Sequence, residues 1–125
     1  MNLPLSADLQ VICLCAEWCG TCRDYRALFA QVAQAHTGAA FAWVDVEDHA
    51  DLADVFDVET FPTLLVASGQ GLHFLGPMLP HAQTLSRLLT ALPAASPVSA
   101  EVAALLRAVR ENPAPFAFGP PAPSA

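Results

Sequence analysis

Cys19 and Cys22 stand in the run Ala16-Glu17-Trp18-Cys19-Gly20-Thr21-Cys22-Arg23, with two residues between them. On a helix the Cα atoms of residues i and i+3 lie roughly 5 to 6 Å apart, inside the window a disulfide accepts. Two thiols so placed can open and close a covalent bond with little backbone movement, which makes the pair a candidate redox switch. The spacing also serves zinc sites and haem attachment. With Cys13 and Cys15 the sequence reads C-x-C-x3-C-x2-C, four sulfurs in ten residues, a set that on composition alone could hold zinc or an iron–sulfur cluster.

The flanking pattern favours redox chemistry. Leu9 to Ala16 is a short apolar run suited to a strand, and Tyr25, Leu28, Phe29 and Val32 repeat at helical i, i+3, i+4, i+7 spacing. The cysteine pair therefore falls where a strand turns into a helix. Unpaired N–H groups and the positive end of the helix dipole there stabilise a thiolate, the nucleophilic form of cysteine. Cys13 and Cys15 belong to the strand and point to one of its faces, so tetrahedral closure around a metal would need the strand to break. They are also poor partners for each other. Two strand positions apart, their Cβ atoms are separated by roughly 7 Å where a disulfide needs about 4 Å, and packed free thiols are expected.

The run ending in Trp18-Cys19-Gly20-Thr21-Cys22, together with Thr60-Phe61-Pro62-Thr63-Leu64, resembles the thioredoxin family. The second motif is similar to that family's cis-proline segment, so the resemblance implies a cis bond at Phe61-Pro62 and packing of that segment against the active-site disulfide. It also implies thiol–disulfide exchange with Cys19 and Cys22 as the catalytic pair. Cys19 would attack a substrate disulfide, and Cys22 would then attack the Cys19 sulfur to release reduced product. The substrate groove would be walled by Trp18, Gly20, Thr21, Phe61, Pro62, Thr63 and Gly76, with Trp18 as a substrate-facing lid. Peptide backbone would pair with the residue before the proline. Thr21 stands where thioredoxin's own motif has proline, which points to a more oxidising poise.

The elements that would position these residues can be read in order. A strand over Leu9–Cys15 is followed by a helix over Thr21–Ala35 closed by Gly38, a strand over Ala40–Val46, and a short helix from His49 to Phe56 with Asp48 as N-cap. Phe41, Trp43 and Val44 give the second strand its core residues. Strands over Thr63–Ala67 and Leu72–Leu75 flank a turn at Ser68-Gly69-Gln70-Gly71, and a helix carrying Leu85, Leu88, Leu89 and Leu92 ends at Pro93. The expected fold is α/β: a thioredoxin-like three-layer fold, β-α-β-α-β-β-α, with a mixed central sheet and an extra C-terminal helix. Its first strand-helix-strand unit is expected to be parallel and right-handed.

Residues 1–93 then form the thioredoxin-like domain and 94–111 a helical extension. The extension carries Val102, Leu105, Leu106 and Val109 at helical spacing, a stripe expected to dock back on the sheet. Residues 112–125, five of them proline, read as a flexible tail. The extra N-terminal strand and helix of thioredoxin proper are expected to be missing or vestigial.

A length of 125 residues suits one domain, and 54% hydrophobic residues exclude wholesale disorder. Twelve acids against five bases, all arginine, leave a net charge of -7, so no nucleic acid is expected as partner. No apolar run reaches the roughly 20 residues of a membrane span, no secretory signal is evident, and the chain reads as a cytoplasmic monomer. Seven acids crowd into residues 45–59 without the loop glycine or spacing of a calcium site. They read as the solvated face of a short helix whose buried side is Leu52, Val55 and Phe56. The four histidines show no ligand spacing. No metal and no cofactor are expected. The partners would be disulfide-containing protein substrates and an electron donor whose identity the residues do not encode.

Two further expectations concern function. The alternative to a protein-disulfide reductase is a redox-silent thioredoxin-fold module that only binds protein. In thioredoxin a buried aspartate lies six residues before the nucleophile, and a lysine on the next strand pairs with it. By the resemblance those places hold Cys13 and Trp43 here, so no carboxylate is at hand to deprotonate the resolving thiol.

Overall fold

The computed structural model describes residues 9–16, 19–36, 38–47, 54–56, 58 and 60–111. Its central strand is β1, Gln10–Cys15, buried at every position. A strand covered on both faces needs a layer on each side, and alternate residues divide between them. Val11, Cys13 and Cys15 pack with Cys22, Tyr25, Phe29, Val32 and Leu85. Ile12, Leu14 and Ala16 pack with Val102, Leu105, Leu106 and Val109 on the opposite face.

The first of those layers is built by α1, Gly20–Ala35, and the second strand, β2, covers Ala40–Asp45. β2 pairs with β1 in parallel, Gln10 opposite Ala40 and Cys15 opposite Asp45. β3, Thr63–Ser68, and β4, Gly71–Pro77, form an antiparallel hairpin whose inner strand pairs antiparallel with β1. The sheet order is β2-β1-β3-β4, a mixed sheet as expected. α2, Ala82–Thr90, lies with α1, whereas α3, Ala100–Glu111, covers the other face.

Boundaries differ from the sequence reading by a residue or two. α1 stops at Ala35, where the His36 N–H donates to the carbonyls of Val32 and Ala33, and Gly38 sits in the turn beyond rather than at the helix end. The hairpin turn ends at Gly71, whose φ of 136° favours glycine, and a Cβ there would run into the Ser96 carbonyl. Ser96 and Leu72 exchange backbone hydrogen bonds of 2.8 and 2.9 Å, so this segment covers part of the β4 edge.

The acidic segment corrects one expectation. Phe56 packs on the sheet but Val55 is 49% exposed, because adjacent helical residues are rotated by roughly 100° and only one of the two can face inward. Leu52 and the Asp48 cap lie outside the described residues, as does the proline-rich tail. No helix among the described residues is long and apolar enough to cross a membrane.

Candidate active site

Cys19 is the N-cap of α1, with extended backbone at φ −85° and ψ 122°. Its N–H donates to the Ala16 carbonyl at 3.0 Å, and its own carbonyl accepts from the Arg23 N–H at 3.1 Å. These bonds turn the chain from the end of β1 into the helix. The Cys19 side chain makes no capping hydrogen bond and no acid occupies the first turn of α1, so the thiol lies beside the positive end of the helix dipole. Cys19 is half-buried, while Cys13, Cys15 and Cys22 are buried.

The disulfide departs from the sequence reading at Cys15. Cys22 is bonded to Cys15, with their Cα atoms 5.8 Å apart, and Cys13 and Cys19 are free thiols. The packed free thiol expected at Cys15 is thereby overturned. Strand spacing excludes a Cys13–Cys15 bond, but it carries no information on where the following helix approaches. Cys15 points to the face that α1 covers, and the chain re-enters that face one turn into the helix, so residues 15 and 22 meet. The Ala16 N–H also lies 3.3 Å from the Cys22 sulfur as its donor. Among the described residues, no three His, Cys, Asp or Glu side chains come together as a metal-binding group.

The proline segment closes the site from the other strand. The Phe61-Pro62 bond is cis, as the resemblance implied. In the antiparallel register Leu14, next to Cys15, faces Thr63, next to Pro62. Cys19 and Phe61 each touch the core layers on both faces, a position available only at the end of the sheet. Pro62 and Thr63 are buried, the Thr63 hydroxyl donating to the Thr60 carbonyl at 2.7 Å. Gly76, opposite Leu64, reaches the same end of the sheet, and Gly20 and Thr21 are exposed in the first turn of α1. Trp18 lies outside the described residues.

Behind the disulfide, Cys13 faces Trp43 across the β1–β2 register, the juxtaposition the sequence implied. Burial pushes the Cys13 thiol well above the usual thiol range, with the Arg26 guanidinium pulling the other way. That guanidinium lies 5.1 Å over the Trp43 ring, a cation–π contact between two surfaces of different chemistry. Cys22, Arg23, Arg26 and Trp43 line a cavity of about 260 Å³. Sequence reasoning missed Arg26. Its place one helical turn after Cys22 was the available signal.

A thiol at a helix N-cap, a buried sulfur one turn on and a cis-proline at the facing strand end are now in place. The thioredoxin family model matches residues 3–85. The chain belongs to the thioredoxin family. It is 35% identical over 68 residues to a putative thioredoxin 2 of Streptomyces coelicolor, covering 54% of this chain and 51% of that protein. It is 40% identical over 60 residues to a rice thioredoxin H-type protein, covering 48% and 49%. The chain thus spans about half the length of the curated relatives it matches. Among solved structures, Fasciola hepatica thioredoxin superposes with a TM-score of 0.61 at 24% identity, over 68% of this chain and 81% of that one. Mitochondrial thioredoxin 3 of Saccharomyces cerevisiae gives 0.58 at 25% identity, over 66% and 77%. This thioredoxin-family chain has the three-layer fold, with α3 on the sheet face opposite α1.

Proposed function

We propose that the chain is a protein-disulfide reductase in which Cys19 is the attacking thiol and Cys22 the resolving one. The observation that carries this reading is the contrast between them: Cys19 is half-exposed at the start of α1, and Cys22 is buried one turn later. Cys19 forms a mixed disulfide with substrate, and Cys22 breaks it by attacking the Cys19 sulfur. Trp18, Gly20, Thr21, Phe61, Pro62, Thr63 and Gly76 form the groove that takes the substrate chain. Pro62 offers no N–H to compete for the sulfur, and the backbone of Phe61 pairs with the peptide.

Disulfide-containing proteins are the substrates of this reading, and the working unit is a monomer. The cytoplasm is the proposed setting, where thiols such as Cys19 are kept reduced. Residues 1–93 carry the activity, with 94–111 as a supporting extension. Titration against glutathione and catalysed reduction of an aromatic test disulfide test the proposal together. A chain that folds but neither titrates nor accelerates reduction is instead a redox-silent binding module.

A further inference from the structure

The Cys15–Cys22 bond puts the resolving sulfur at a branch point. One candidate partner, Cys19, sits three residues earlier at the start of α1, within ordinary disulfide reach for that spacing. The other, Cys15, ends β1 and is already bonded to it. Both residues of the bonded pair are buried, at 0% and 1% exposure, whereas the free Cys19 remains half-exposed. We propose that Cys15 is a third redox cysteine, which takes over the disulfide from Cys19 and leaves Cys19 free in the oxidised chain. This deepens the reductase reading and rests on it.

The exchange balances internally. Substrate disulfide accepts two electrons as the Cys19–Cys22 bond forms. The Cys15 thiolate then attacks the Cys22 sulfur, the Cys22–Cys19 bond breaks, and Cys19 leaves as thiolate. One disulfide is lost and one gained, with no external oxidant or reductant, and the proton given up by Cys15 is matched by one returned to Cys19 or left in water. Pairing within the buried layer shelters the disulfide from external thiols. The surface nucleophile is regenerated at the same time. Cys13, two residues earlier on the same face of β1, stays protonated and takes no part.

Glu17 lies between the two possible partners and makes the bond assignable. The full-length reduced chain is mixed with one equivalent of an aromatic disulfide, quenched in acid at intervals, alkylated and cleaved with a glutamate-specific protease without reduction. The Cys13/Cys15 fragment is expected to be separate at the first intervals and joined to the Cys19/Cys22 fragment at the end, with Cys19 alkylated. The cross-link should survive Cys13→Ala. Native maleimide labelling of the oxidised chain should fall from about one equivalent in the wild type to near zero in Cys15→Ala. Should that variant fold poorly, Cys15→Ser, closer in size to cysteine, should lose the same equivalent of label. Fragments that stay separate at equilibrium, or a Cys15→Ser chain that still takes up one equivalent, overturn the proposal. Reduction of the test disulfide by the wild type is scored separately. Activity without the cross-link sinks only the Cys15 role, and a cross-link without activity sinks only the reductase reading.

Discussion

Gln10 and Arg110 lie at opposite ends of the described fold in sequence, yet the Arg110 guanidinium donates to the Gln10 side-chain oxygen at 2.7 Å. The bond pins the last turn of α3 to the first residue of β1. Arg110 is exposed, so the contact fixes register more than it stabilises, and Arg110→Ala should cost less than about 1 kcal/mol. The stripe beneath it carries the energy. Leu105→Ala empties a buried position in the cluster that includes Ile12, Leu14 and Val44 and should cost about 2–5 kcal/mol in urea unfolding. Ending the chain before Ser99 should lower the melting temperature further by baring the whole face. An unchanged melting curve after that truncation would mean that α3 contributes nothing to the fold.

Alkaline stability should report on Cys13. Its thiol stays protonated when folded, because burial holds its pKa above the ordinary value. The unfolded chain releases that proton from about pH 8.5. Above this point the unfolded state binds fewer protons than the native state, so stability falls as pH rises, by up to about 1.4 kcal/mol per unit. Unfolding of the wild type and Cys13→Ala between pH 8 and 10 checks this. The variant should show the shallower decline, and parallel curves would contradict the assignment.

Tyr25 offers a simpler test. Its ring is fully buried beside Phe29, and its hydroxyl has no hydrogen-bond partner among the described residues. An unsatisfied buried donor costs roughly 1–3 kcal/mol. Tyr25→Phe removes the hydroxyl and keeps the ring, so thermal unfolding should show equal or higher stability. A loss above about 1 kcal/mol would mean that the hydroxyl does have a partner.

What could be read from the sequence was governed by how local the signal is. The strand ending at Cys15 and the helix carrying Tyr25, Phe29 and Val32 announce themselves by periodicity, and Thr60 to Leu64 is a motif in itself. α3 was legible as an amphipathic helix, but its place on the sheet depends on its stripe joining the same buried cluster as Ile12 and Leu14, most of the chain away. The Cys15–Cys22 bond was missed for a related reason. Spacing rules treat cysteines within one element, and this bond joins the end of a strand to the start of the next helix. Arg26 over Trp43 is likewise a product of the β1–β2 register rather than of any local pattern.

Separate roles for the two motif cysteines predict different failures. Cys19→Ser removes the half-exposed nucleophile, and turnover of a protein disulfide should fall to the uncatalysed rate. Cys22→Ser leaves the attack intact but removes the sulfur that releases substrate, so a mixed disulfide between Cys19 and substrate should accumulate. Cys15 does not rescue this variant, because in the structure its bond is to Cys22 and not to Cys19. Non-reducing electrophoresis with a cysteine-bearing substrate distinguishes the two. A trapped, reductant-sensitive adduct is expected only with Cys22→Ser. Equal loss of turnover in both variants with no adduct in either would assign the attack to another thiol, with Cys15 the first to be tested.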